Sequence, residues 1–139
     1  MRRTKKVLVA DDYGLARDLL CRILNDLGFK TEQARNGCEA FAKAVVERPD
    51  LILLDVNMPG MDGYTTLEHM KRHPRTYEIP VMILSGLDWS YERGLALELG
   101  ADDYLPKPVR VDDLRKKVES ALRKRRKKSA FRRAPYCEV

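Results

Sequence analysis

The chain has 139 residues, with 27 Lys or Arg against 21 Asp or Glu and a formal net charge of +6. That length suits one domain with a real core, and no apolar run approaches the ~20 residues that a membrane-spanning helix needs. Cys21, Cys38 and Cys137 are odd in number and lack CxxC spacing, so neither a disulfide framework nor a zinc site is indicated, and a reducing cytoplasm is the expected compartment.

The basic start, Met1 to Lys6, leads into a strand-length run, Val7-Leu8-Val9-Ala10, rather than the longer apolar core of a signal peptide. The run ends in Asp11-Asp12. Leu15, Leu19, Ile23, Leu24 and Leu27 then recur at helical spacing, with Gly28 as the stop. Lys30 to Ala34 reads as a half-polar edge strand. Asn36-Gly37 opens a second helix with the apolar stripe Ala40, Phe41, Ala44 and Val45. Cys21 and Cys38 fall in these helical patterns and are expected to be small packing residues.

Pro49-Asp50 precedes a third strand, Leu51-Ile52-Leu53-Leu54, which runs into Asp55. Met58 to Gly63 is a loop by composition, followed by a helix from about Tyr64 to Arg72 and a turn at His73-Pro74. His69 and His73 lack a metal-binding partner in the pattern and are expected at the surface. Val81-Met82-Ile83-Leu84 ends in Ser85. A fourth helix is predicted over roughly Trp89 to Leu99, a last strand at Asp103-Tyr104-Leu105 and a rigid loop at Pro106-Lys107-Pro108. Val111, Leu114, Val118 and Leu122 give the final helix one apolar face, and Asp112 and Asp113 suit its positive N-terminal end.

Five β-α units in alternation predict an α/β, doubly wound parallel sheet with helices on both faces. Short uninterrupted apolar runs are the mark of strands buried on both sides. Parallel strands finish on one edge, so Asp11, Asp12, Asp55 and Ser85 should meet there, where open α/β sheets bind ligands. Two carboxylates ~4 Å apart repel by about 4 kcal/mol at an effective dielectric near 20. Against a domain stability of ~5–15 kcal/mol, such crowding calls for a cation. An all-oxygen donor set suits Mg²⁺ or Mn²⁺ rather than Zn²⁺. Lys107 projects from the same edge, and its ammonium can hold a phosphate oxygen while Ser85 donates a hydrogen bond. A carboxylate nucleophile, a metal, a cation and a hydroxyl together match phosphoryl transfer, with Asp55 on the central strand as nucleophile.

The segments Val7 to Asp12, Asp55 to Gly63 and Gly100 to Pro108 closely resemble the receiver domains of two-component response regulators, over about Lys5 to Leu122. The resemblance implies a flavodoxin-like, CheY-like strand order of 2-1-3-4-5. It also implies that a sensor histidine kinase or histidine phosphotransfer protein phosphorylates Asp55. Asp12 and Asp55 would bind the metal directly, Asp11 through water, and Asn57 through its main-chain carbonyl. Lys107 would hold a phosphate oxygen, and Lys107–Pro108 would be a cis peptide. Ser85 and Tyr104 would be the switch residues, and Trp89, Tyr91 and Tyr104 would contribute to the face read by a downstream protein target. The protein would then catalyse only its own phosphorylation and dephosphorylation, without acting on an external metabolite. Magnesium-dependent phosphatases with an Asp nucleophile usually carry a second Asp two residues on, and Asn57 stands there instead.

The charge divides the chain at about residue 122. Residues 123–139 hold eight Lys or Arg and one acid, which leaves 19 basic and 20 acidic residues, or −1, in residues 1–122. The expected organisation is a receiver domain over 1–122 and a basic C-terminal extension over 123–139, partly helical and then disordered. The alternative function is a nucleic-acid-binding regulator that acts through this tail, where Phe131 and Tyr136 could stack on bases.

Overall fold

The computed structural model describes residues 3–58, 60–86 and 90–131, without the side chains of 90–92 and 125–131. The elements alternate as predicted: β1 (Lys6–Ala10), α1 (Gly14–Asp26), β2 (Lys30–Ala34), α2 (Gly37–Glu47), β3 (Leu51–Asp55), α3 (Gly63–Arg72), β4 (Val81–Ser85), α4 (Ser90–Glu98), β5 (Asp103–Pro106) and α5 (Val111–Phe131). The five strands are all parallel, in the order β2-β1-β3-β4-β5. β3 is therefore central and the half-polar β2 lies at an edge, as their patterns predict.

Period-two alternation along the strands supplies two apolar layers. Leu8, Ile52, Leu54, Val81, Ile83 and Tyr104 pack with Ala40 and Ala44 of α2, Leu67 and Met70 of α3, and Ala96 of α4. Val7, Val9, Leu51, Leu53, Met82 and Leu105 face the other way, against Leu20, Cys21 and Leu24 of α1 and Leu114, Val118 and Ala121 of α5. Helices thus cover both faces of the sheet. Among the described residues, no helix is long and apolar enough to cross a membrane.

The helix boundaries have local causes. The Asn36 side chain accepts from Glu39 N at 2.8 Å and caps α2, and that of Asp62 accepts from Thr65 N at 2.8 Å and caps α3. Gly28 closes the α1 segment at φ 99°, a conformation that costs other residues a steric penalty.

Several sequence expectations are corrected. The buried stripe of α1 is Leu20, Cys21 and Leu24, whereas Leu15 and Leu19 lie exposed. The apolar periodicity there spans more of the helix surface than the sheet covers. Val111 is likewise exposed, at the first residue of α5, three positions before the buried Leu114. Cys38 is exposed rather than a packing residue. His69 is exposed, but His73 is half-buried, and both imidazoles lie against the Phe41 ring at centroid distances of 5.8 and 5.6 Å. Tyr104 is buried and so is not part of a readable surface in this conformation. Trp89, the Tyr91 side chain, and residues 132–139 with Tyr136, Cys137 and the predicted disordered tip lie outside the described residues.

The edge of the sheet where the strands begin is tied by charge. Asp50 accepts from Lys6 N at 2.8 Å and from the Arg3 guanidinium at 2.9 Å, joining the starts of β1 and β3. Lys71 of α3 donates to Ile79 O at 2.9 Å and to Asp102 at 3.2 Å, and Asp102 also accepts from Val81 N at 2.9 Å. The second network holds α3 against the starts of β4 and β5.

Candidate functional site

At the opposite edge the strand ends bring the acids together. Asp11 and Asp12 follow β1, and Asp55 is the last residue of β3. One carboxylate oxygen from each of Asp11, Asp12 and Asp55 lies within 4.8 Å of the others. Asp11 and Asp55 are buried, and Asp12 is exposed. Lys107, just beyond β5, places its ammonium 3.2 Å from Asp55 Oδ1 and 3.5 Å from Asp11 Oδ2.

The backbone fixes this geometry. Asp11 Oδ1 accepts from Tyr13 N at 2.9 Å, which folds the turn from β1 into α1. Asn57 N approaches Asp55 Oδ1 at 3.4 Å, a long hydrogen bond. Lys107 N donates to Ser85 O at 2.7 Å and joins the ends of β4 and β5. The Lys107–Pro108 peptide is cis, in agreement with the family resemblance.

The electrostatics favour a cation. Three carboxylates crowd together, two of them withdrawn from water, and the Lys107 ammonium contacts those two. Burial pushes the Asp55 carboxyl above its ordinary range; Lys107 pulls it back down, and Asp11 pushes it up again. The net direction is up, so the lysine does not fully compensate the desolvated charge. The donor set is all oxygen and contains no His or Cys, which suits a hard divalent cation. The residues fit such an ion.

Of the residues singled out from the sequence, Asp11, Asp12, Asp55 and Lys107 thus form one cluster. Ser85 is fully buried at the end of β4, one position beyond Leu84, the register partner of Asp55. Asn57 is exposed and meets the cluster through its main-chain N–H. Tyr104 is set back along β5, opposite Ile83 and away from the acids in register.

Two supporting residues escaped the sequence reading. Arg17 donates from Nη1 to Asp11 O at 2.8 Å and from Nε to Gln33 Oε1 at 2.7 Å, which steadies the acidic turn. Its place in the sequence, four before Cys21 and seven before Leu24, is on the buried phase of α1; a cation there was the available signal. Gly63 brings the start of α3 against β3. A Cβ at Gly63 would sit 2.4 Å from Asp55 O and 2.6 Å from Val56 Cα. Its presence in a loop-like run concealed that approach.

Residues 7–119 match the response regulator receiver domain. The chain is 36% identical over 119 residues to the DNA-binding dual master transcriptional regulator RpaA of Synechocystis sp., covering 86% of this chain and 49% of that protein. It is 37% identical over 120 residues to the alkaline phosphatase synthesis transcriptional regulatory protein PhoP of Bacillus subtilis, again covering 86% and 49%. The chain therefore spans about half the length of these curated relatives. Among solved structures, the chemotaxis protein CheY4 of Vibrio cholerae superposes with a TM-score of 0.81 at 30% identity, covering 86% of this chain and 99% of that one. A CheY-like response regulator receiver domain protein of Methanospirillum hungatei superposes with a TM-score of 0.84 at 28% identity, covering 91% and 99%.

Proposed function

This chain belongs to the response regulator receiver domains, and from that premise we propose that it is a Mg²⁺-dependent phosphoacceptor whose nucleophile is Asp55. The observation that carries the reading is the meeting of Asp55 with Lys107 at 3.2 Å inside a cluster with Asp11 and Asp12. The phosphodonor is a phosphohistidine on a sensor histidine kinase or a histidine phosphotransfer protein. A carboxylate oxygen of Asp55 forms the new P–O bond while the donor's P–N bond breaks, and the departing imidazole takes a proton from water. Burial strips water from that oxygen and keeps it basic, which favours attack.

Asp12 and Asp55 would hold the magnesium ion directly, Asp11 through water, and Asn57 through its main-chain carbonyl. The ion supplies charge neutralisation between the incoming phosphoryl group and the carboxylates. Lys107 moves from its bridging contact with Asp55 and Asp11 to a phosphate oxygen. The Ser85 hydroxyl donates to another oxygen of the group. No external metabolite is transformed, and the chain's own aspartyl phosphate is the product.

A phosphoryl group brings a charge of about −1.5 to −2 and three acceptor oxygens. Its capture by Ser85 draws in the loop that follows β4, and Tyr104 repacks. Tyr104 lies on β5 within the layer that includes Ala96 of α4, so its movement alters the face that a downstream protein target reads. Free thiols at Cys21 and Cys38 suit a reducing, cytoplasmic setting.

The test is incubation of wild type and Asp55→Asn with acetyl phosphate and Mg²⁺. Wild type should gain one acid-labile phosphoryl group that EDTA prevents. A mutant that incorporates phosphate equally would remove Asp55 from the role.

A further inference from the structure

The phosphoacceptor reading leaves the C-terminal charge unused. Among the α5 residues whose side chains are described, Ala121 is the last buried one, Leu122 is half-buried, and Arg123 and Lys124 are exposed. The helix nevertheless runs unbroken to Phe131, nine residues past Leu122. At ~1.5 Å per residue this is roughly 13 Å of helix past Leu122. Its first six residues, Arg123 to Lys128, are all Lys or Arg. Strong mutual repulsion would ordinarily oppose so dense a row, and a polyanion would relieve it.

The density of charge identifies the partner. Six cations over six helical residues give one positive charge per ~1.5 Å of axis. Duplex nucleic acid carries one negative charge per ~1.7 Å of its own axis. An anionic membrane is matched less well, because a surface-bound helix needs an apolar face to bury, and no apolar residue stands between Arg123 and Lys128. We propose that the extension of α5 is a sequence-independent binding element for the phosphate backbone of duplex nucleic acid. The near-neutral charge of residues 1–122 confines the attraction to this end. The element is an extension of the receiver's own last helix and makes no use of the acidic cluster.

The full chain, in EDTA, is titrated against two fluorescent duplexes of unrelated sequence, with anisotropy read between 50 and 200 mM KCl. Six phosphate contacts give an expected log–log salt slope of about −5, an affinity loss of roughly 10³-fold across that range, with the two duplexes alike. Substituting Arg125→Gln, Arg126→Gln and Lys127→Gln together should cut the slope to about −3 and the loss to roughly 40-fold. Gln keeps helix propensity, and an unchanged melting curve confirms that the body is folded. A slope shallower than −2, a slope unmoved by the triple substitution, or tighter binding to phosphatidylserine vesicles than to either duplex would each overturn the proposal. Preference for one duplex by more than about tenfold would overturn its sequence independence. The absence of magnesium keeps this result separate from any failure of Asp55 to accept phosphate.

Discussion

The Lys107 ammonium lies 3.2 Å from Asp55 Oδ1, so a side chain from the end of β5 reaches the end of β3 across the intervening strand β4. The same nitrogen is 3.5 Å from Asp11 Oδ2, beyond β1. One lysine thus gathers the ends of three strands and pairs with both buried acids of the cluster. It offsets part of the charge of those two carboxylates, and in the proposed mechanism it is handed over to a phosphate oxygen.

Removing that cation should be costly without metal and less so with it. Lys107→Ala leaves Asp11 and Asp55 buried side by side, and the lysine's partial exposure limits the loss to about 1–2 kcal/mol. Urea denaturation in EDTA measures the loss, and saturating Mg²⁺ should recover most of it. Equal losses with and without Mg²⁺ would mean that the cluster binds no cation.

Asp55→Asn should act in the opposite direction. The folded protein holds the Asp55 proton more tightly than the unfolded chain, so ionisation of this group weakens the fold. Its contribution is intact below the ordinary value of 3.8 and is lost as pH rises through the higher folded value. In EDTA at pH 7 the mutant should therefore be more stable, by about 1 kcal/mol or roughly 3–5 °C in Tm for a domain of this size. The advantage should shrink toward zero as pH falls below 3.8. A mutant melting at or below wild type at pH 7 would contradict the crowding of these charges.

Gly63→Ala tests the backbone approach beneath Asp55. Its Cβ would meet Asp55 O at 2.4 Å and Val56 Cα at 2.6 Å, and backbone atoms cannot yield as a flexible side chain would. A loss of about 2–3 kcal/mol is expected by chemical denaturation, with weaker Mg²⁺ binding because β3 shifts at its end. An unchanged midpoint would show that α3 can move away freely.

Lys71→Met separates stability from chemistry. Lys71 bonds Ile79 O and Asp102 at the strand-starting edge, remote from the acids. The expected result is a loss of about 2 kcal/mol with Mg²⁺ affinity unchanged. A matching fall in affinity would show that the two edges of the sheet are coupled.

Much of this was legible in the sequence because a parallel sheet converts order into position. Once Val7–Ala10, Leu51–Leu54 and Val81–Leu84 are strands, Asp11, Asp12, Asp55 and Ser85 must share an edge. What the pattern could not resolve was which side of an element faces inward. Leu15 and Leu19 are as apolar as Leu20 and Leu24, yet only the latter pair faces the sheet. Adjacent acids were equally ambiguous: Asp11 is buried and Asp12 exposed, a difference set by the turn that Tyr13 N and Arg17 fix around Asp11. Tyr104 illustrates the same limit, since β5 has only four residues and its alternation is too short to fix which side chains face inward.

The position of the phosphoryl group itself decides whether Asp55 is the nucleophile. The full chain is phosphorylated with acetyl phosphate and Mg²⁺, reduced with borohydride to convert an acyl phosphate into an alcohol, and read by peptide mass spectrometry. Homoserine is expected at position 55 and at no other aspartate. Homoserine at Asp11 or Asp12, or no conversion anywhere, would contradict that assignment.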